Sequence, residues 1–335
     1  MYYQVEQVLS KYEPETENYY KGRGILICET KQGLFALKVY HGSAQKAEFL
    51  YWLGRTLREQ GICCDDMIKN RENELISEGV DGERYTMHHW IKGKECDVKN
   101  RMDIMMAVSY IAGFHAGLSC GIPEPVQGGP DYMCQRHMSL YEEYGRHNRE
   151  LKKIRKYIAG RHNKSDFERL FLVCFPEYFR QAERVLGYLK RENEKTDQYT
   201  VGICHGDLNQ HNIIFSSEKP ALIHLEHAYV GIQIADLGNF MRKILEKYDW
   251  EERLGFEMLR EYCRVYPLHR ADLQGLYYRL SYPEKFWKLA NHYYNSSKVW
   301  DPGRNYEKLQ REIRQNISRK RFLEQFRKKI LAQIS

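Results

Sequence analysis

The sequence predicts an α+β protein built as two lobes, a small antiparallel sheet near the N-terminus and a larger, mostly helical part after it. Three observations lead there. Between residues 18 and 40 the runs NYYKGRG, ILICET and LFALKVY read as strands, and Lys31, Gln32 and Gly33 close a tight turn between the last two. Between residues 73 and 92, ELISEGV and RYTMHHWIKG form a second hairpin pattern around Asp81 and Gly82. From residue 100 onward apolar residues recur mostly at helical spacing, interrupted by a strand-turn-strand stretch at 213–225.

Composition agrees with a globular chain of that size. The 335 residues, 42% hydrophobic and 29% charged, are enough to bury a core in each of two lobes. No run approaches the ~18 apolar residues of a membrane span, so none is expected. The N-terminal stretch lacks the basic start and apolar centre of a secretion signal, and synthesis and folding in the cytoplasm are expected. Nine cysteines are scattered apart from adjacent Cys63 and Cys64, with no zinc-type spacing, and read as reduced and mostly core. A net charge of +7 with 26 tyrosines reads as a solvated surface, with an acidic partner or anionic substrate as the alternative. There is no Walker A loop and no nucleic-acid fold signature, so no nucleic acid partner is expected.

Taken in order, the first hairpin places Gly22 and Gly24 between its strands and Lys38 within Ala36, Leu37 and Val39. A lysine between buried strand neighbours is a charge with a task or an edge position. Residues 45–57 predict a helix with Phe49, Leu50, Leu53 and Leu57 on one face, and it carries Glu48. A second helix over 100–118 aligns Ile104, Val108, Ile111 and His115, and the Pro/Gly run 121–130 marks a boundary. Polar helices follow at 139–160 and 166–195, the first with Lys152, Lys153, Arg155 and Lys156 on what reads as a solvated face. A helix starts at Asp236, further helices fill 251–293, and 305–334 forms an amphipathic helix with Leu309, Ile313, Ile317, Phe322, Phe326 and Ile330 on a stripe and a basic opposite face.

The densest chemistry lies in residues 203–236. His205, Gly206 and Asp207 are followed five positions later by Asn212, just before the apolar strand Ile213, Ile214 and Phe215. Residues 216–220 turn the chain, and 221–225 return as a second strand. A carboxylate that accepts a hydroxyl proton, beside an amide oxygen that holds a divalent cation, is what phosphoryl transfer requires.

Over roughly residues 20–300 this arrangement resembles the aminoglycoside and choline kinase branch of the protein-kinase-like fold, and the whole layout is most similar to the CotS-type spore coat proteins. The resemblance implies a nucleotide-binding lobe at 1–91 and a helical lobe at 92–335, with a helical insertion at about 139–195 and the basic C-terminal helix. It implies ATP and Mg2+ as cofactors and Lys38 on the phosphates, with Glu48 as its helix partner. Backbone groups of Met87, His88, His89 and Trp90 would form a hinge facing the adenine. Asp207, His205 and Asn212 would be the catalytic-loop residues, with Asn212 also on the metal. It further implies residence in the spore coat among other coat proteins, and a nucleotide or small hydroxylated molecule as ligand.

One departure stands out. Where the family carries its metal-binding Asp, this chain reads Ile223, His224, Leu225 and Glu226. Mg2+ prefers oxygen ligands and imidazole does not suit it. Glu226, two residues on along a strand, would share a face with His224 and offer a carboxylate there. The expectation is therefore a coat-associated kinase-like protein with impaired catalysis, the alternative being an active phosphotransferase using Glu226, with His224 beside it at the metal position. The resemblance implies that Asp236 is the family's downstream structural Asp, which braces the catalytic loop by accepting backbone hydrogen bonds.

Overall fold

The computed structural model describes residues 2–22, 24–80, 82–118, 139–192, 199–216, 219–295 and 302–332. Asp81 of the second hairpin, the 121–130 run and the tip of the 216–220 turn at 217–218 lie outside them. The chain divides into two compact units, one taking in 1–136, 201–240 and 260–267, the other 137–200, 241–259 and 268–335.

The first unit begins with helix α1 (Tyr2–Leu9) and a meander of β1 (Thr16–Lys21), β2 (Leu26–Thr30) and β3 (Gly33–Val39). Helix α2 (Ala44–Glu59) follows, capped by Ser43, whose hydroxyl accepts the Lys46 N–H at 3.2 Å. Then come β4 (Cys63–Cys64), β5 (Met67–Ile68), β6 (Ser77–Glu78), β7 (Arg84–His89) and β8 (Lys94–Glu95). The main sheet runs β1-β2-β3-β7-β5, with β6 also on β7. Its core joins Val8, Leu9 and Tyr12, from α1 and the turn after it, to Cys28, Phe35, Leu37 and Met87. The run ELISEGV contributes only two residues to the ladder. The Asn70 side chain accepts the N–H groups of Glu72 at 3.0 Å and Glu74 at 2.8 Å, satisfying that backbone locally instead.

Helix α3 (Arg101–Gly117) buries Ile104, Val108, Ile111 and His115 as the periodicity predicts. Strands β9 (Val201–Cys204), β10 (Ile213–Phe215), β11 (Pro220–Leu222) and β12 (Tyr229–Ile232) complete this unit's sheets, one ordered β4-β11-β10-β8 and one pairing β9 with β12. The β10/β11 hairpin pairs Ile213 with Leu222 and Ile214 with Ala221.

The second unit is helical. Helix α4 (Leu140–Gly160) opens with a Ser139/Glu142 capping box, and α5 (Asp166–Glu192) follows. After α6 (Ile234–Leu245) and α7 (Glu252–Val265) come α8 (Arg270–Ser281), α9 (Glu284–Asn295) and α10 (Pro302–Phe326), the last running into a π-helical turn over Arg327–Leu331. Its core stacks Phe171 and Tyr178 on Phe286 at 5.0 and 4.5 Å between ring centroids. Lys152, Lys153, Arg155 and Lys156 are exposed. The α10 stripe differs from the expected one: Leu309, Phe322 and Phe326 are buried, Ile317 is 71% exposed, and Glu312, Asn316 and Arg319 are buried in its place. Their steps of three and four residues keep one face inward, and Arg319 and Glu312 pair at 3.6 Å. No helix among the described residues is long and apolar enough to cross a membrane.

Candidate active site

The loop between β9 and β10 is held from below by one carboxylate. Asp236, 1% exposed at the start of α6, accepts the backbone N–H of His205 on Oδ2 and that of Gly206 on Oδ1 at 3.0 Å. His115 of α3 adds a third contact, its Nε2 3.4 Å from Asp236 Oδ2. Burial alone would raise the acid's pKa, yet these partners hold it below the ordinary range, so it is ionised. The bracing role read for Asp236 is what the geometry displays.

Gly206 sits at φ +86, where a Cβ would stand 2.2 Å from the His227 carbonyl oxygen, so only glycine fits. His205 is fully buried, its Nε2 2.9 Å from the Ile223 carbonyl and its Nδ1 3.3 Å from the Asp207 N–H. One nitrogen donates and the other accepts, which requires the neutral ring, and burial pushes its pKa down accordingly. His205 therefore shapes the loop. Asn212 donates its amide N–H to the Asp207 carbonyl at 2.8 Å, which leaves its amide oxygen as an acceptor with no partner among the described residues. The Asp207 carboxylate takes a hydrogen bond from Asn209 at 3.2 Å.

Lys38 reaches the same region from β3. It is 7% exposed, and its Nζ lies 2.6 Å from Asp65 Oδ2 and 3.3 Å from Glu226 Oε2. Burial works against its charge, but the two carboxylates outweigh it and the pKa is raised. The expected partner Glu48 is exposed on α2 and does not meet Lys38. Asp65, in the turn between β4 and β5, replaces it because β4 is drawn into parallel pairing with β11, Cys63 on Ala221 and Cys64 on Leu222. That pairing brings a 2% exposed carboxylate under the lysine.

The return strand also differs from expectation. It ends at Leu222, and His224 adopts φ 67, ψ 48 before a 3-10 turn at Leu225–His227. The left-handed region is one that His, Asn and Asp enter more readily than most residues. The two-residue repeat of a strand does not apply there, so Glu226 arrives through the turn and not along a pleat. The His224 N–H donates to Asp65 Oδ2 at 2.9 Å and its Nδ1 lies 2.8 Å from Glu226 Oε1. Burial would raise the Glu226 pKa; the His224 hydrogen bond and the charge of Lys38 hold it well below the carboxylate range. From α2, Lys46 donates to the Ala228 carbonyl, and burial lowers its pKa to about 8.

Asp207, Asn212, His224, Glu226 and His227 share the wall of a cavity of about 610 Å3 with Trp90. The hinge residues are placed differently from expectation. Met87 and His88 are paired on both sides, with Leu37 and Ala36 of β3 and with Ile68 and Met67 of β5. The N–H groups of His89 and Trp90 already donate to Asp66 and Leu34, at 2.9 and 2.8 Å. Of the four, Trp90 lines the cavity, followed by Ile91, Lys92 and Gly93.

Among the described residues no group of three or more His, Cys, Asp and Glu is arranged to hold a metal. The donor set still suits a hard cation that keeps some water and shares phosphate ligands, since it offers the Asn212 amide oxygen and an ionised Glu226. The ring of His224 is engaged by Glu226 and adds no oxygen.

Sequence reasoning missed Asp65 and Lys46. The signal for Asp65 was present: ICCDDMI sets two acids in an apolar run, the same pattern that singled out Lys38.

Comparison with solved structures returns the same fold. An aminoglycoside phosphotransferase from Alicyclobacillus acidocaldarius superposes with a TM-score of 0.81 at 19% identity, over 97% of this chain and 95% of that one. A spectinomycin phosphotransferase in complex with ADP and spectinomycin gives 0.64 at 11%, over 93% and 97%. An amicoumacin kinase in complex with AMP-PNP and Ca2+ gives 0.60 at 12%, over 97% and 93%. The endospore coat-associated protein YutH of Bacillus subtilis is 29% identical over 137 residues, 39% of this chain and 39% of that protein, so the aligned stretch spans well under half of that relative. The family described as "Spore coat putative kinase YutH" matches residues 5–326. With the fold, the loop and that near-complete match in hand, the chain belongs to the YutH family of spore coat kinase-like proteins.

Proposed function

We propose that this protein is a kinase-fold component of the spore coat, associated there with other coat proteins, that takes ATP in the cavity beside Asp207 and transfers phosphate poorly. Residues 1–91 act as its nucleotide-binding lobe and 92–335 as its helical lobe. One observation carries the reading of impaired transfer. The carboxylate standing in for the missing Asp, Glu226, is engaged by Lys38 and by His224. The family and its relative in B. subtilis support the coat location. Asn212 and Glu226 would hold Mg2+, which when bound supplies positive charge beside the nucleotide phosphates. Asp207 would orient an acceptor hydroxyl, and Lys38 would grip the phosphates.

A second reading, active phosphoryl transfer to a small hydroxylated molecule or a protein, is favoured by the ionised state of Glu226 and by the Asn212 amide oxygen left free on the same cavity wall. Thermal melts of the full chain with ATP, alone and with Mg2+ or Mn2+, test the shared premise. A ligand at about 100 times its Kd adds about 2.7 kcal/mol of stability, and an unchanged melt under all three conditions would sink both readings. Turnover lost in Asp207→Ala separates them: its presence in the parent selects the active form, its absence the impaired one.

A further inference from the structure

The two partners of Lys38 are unlike each other. Asp65 has a fully buried side chain and gives a single oxygen, Oδ2, to both Lys38 Nζ at 2.6 Å and the His224 N–H at 2.9 Å. Its other oxygen, Oδ1, is buried with no hydrogen-bond partner among the described residues. The Asp65 backbone is fixed on two sides: its N–H donates to the Leu222 carbonyl at 3.2 Å, and its carbonyl lies 2.9 Å from His88 Nδ1. The other ring nitrogen of His88 meets Thr86 Oγ1 at 3.0 Å. This gives the buried His88 a task, since it locks the residue that carries the counter-ion. Glu226, by contrast, is 36% exposed at its side chain, stands 3.3 Å from Lys38, and lines the cavity.

A buried charge stripped of its partner is strongly disfavoured, whereas a solvent-facing pair exchanges partners readily. We propose that Asp65 is the permanent positioning residue of Lys38, the task the resemblance gives to Glu48, and that Glu226 is a displaceable second partner. An incoming phosphate oxygen would replace Glu226 on Lys38, and the carboxylate, still held through Oε1 by His224, would have its Oε2 left for a divalent cation beside Asn212. Anion and cation binding are thereby coupled through one side chain. No covalent bond forms or breaks in the exchange. The proposal rests on the nucleotide reading of the cavity.

The test uses the full chain and three variants, Asp65→Asn, Glu226→Gln and Glu48→Gln, with two readouts. The first is the pH profile of acylation at Lys38 by an amine-reactive ester, followed by peptide mass spectrometry. Asp65→Asn is expected to raise reactivity at a given pH about tenfold or more, Glu226→Gln by less, and Glu48→Gln not at all. The second is affinity for a fluorescent ATP analogue with and without Mn2+. Glu226→Gln is expected to bind the metal-free analogue about tenfold tighter and to lose the enhancement by Mn2+, while Asp65→Asn binds about tenfold weaker. Parent-like acylation in Asp65→Asn, or weaker metal-free binding in Glu226→Gln, overturns the proposal. If the parent binds no analogue at all, the nucleotide reading fails and with it the exchange, while the acylation profile still decides the role of Asp65. Should Asp65→Asn not fold, adding Lys38→Met removes the lone charge and is expected to restore folding; a pair no more stable than Asp65→Asn overturns the assignment.

Discussion

The loop that carries Asp207 and the turn that carries Glu226 face the same cavity but are held by different forces. The loop is fixed by buried contacts: two backbone N–H groups on Asp236, a neutral His205 spanning to Ile223, and a glycine against His227. The turn is fixed around a carboxylate: the Lys38 ammonium and the His224 ring contact Glu226, with Asp65 beneath them. Contacts of the first kind hold the fold and persist whether or not the site turns over. Those of the second kind are the ones a ligand would rearrange under the exchange proposed above.

Four measurements break or sharpen this contrast. The largest effect is expected from Asp236→Ala, which orphans two backbone donors and removes the partner of a buried histidine; urea melts should show a loss of about 3 kcal/mol or more. A loss under about 1 kcal/mol would mean the loop is not braced as described. Next comes Gly206→Ala, which forces a Cβ into the His227 carbonyl at a left-handed φ; thermal and chemical melts should register about 2 kcal/mol.

The third is acid sensitivity. His205 and His88 are both kept neutral when folded, His88 with its pKa pushed down to about 4 by burial first and then by Lys38. Between the ordinary histidine value near 6.5 and those lower folded values, the unfolded chain binds more protons than the folded one. Stability is thus fully present above about pH 6.5 and falls with decreasing pH, by up to about 1.4 kcal/mol per pH unit for each such histidine. His88→Gln should flatten that slope by about one histidine, and an unchanged slope in denaturation series from pH 7.5 to 4.5 would remove this account. Glu226 runs in a different window: its depressed pKa means that its pairs are intact above the ordinary carboxylate range and are lost only as pH falls below it. The turn should therefore outlast the first acid loss.

The smallest effect on stability is expected from Asp207→Asn. Its carboxylate is half-buried on the cavity wall, so melts should move by no more than about 0.5 kcal/mol while any phosphate transfer disappears. A large destabilisation would place Asp207 with the bracing set.

Much of this was legible in the sequence because it rests on periodicity and local turn chemistry. The helices α2, α3, α4 and α5 fall where the apolar stripes placed them, the β10/β11 hairpin follows from the strand-turn-strand pattern of 213–225, and the brace at Asp236 is the one the family resemblance implied. What escaped depends on pairing between segments far apart in the chain. A two-residue strand such as Cys63–Cys64 has no period to detect, so nothing local predicted that it would join Leu222 and carry Asp65 to Lys38. Likewise, His enters the left-handed region more readily than most residues but still only occasionally, so His224 in an apolar strand run did not announce it, and the side-chain alternation assumed for Glu226 failed with it. The pairing of the Met87 and His88 backbone went unseen for a third reason. β7 lies inside the sheet, and its backbone was already committed to neighbours on both sides.

Helix α2 is riveted at its two ends, through the Lys46 amine on the Ala228 carbonyl and through the short parallel splice of β4 onto β11. A helix so fastened cannot swing like a lever to switch a cleft on and off, because either rotation shears a rivet. Its amides and those of the hairpin are expected to exchange with deuterium at one common rate, as a single cooperative block. In the first meander, by contrast, Gly24 at φ +76 has open space where a side chain would stand.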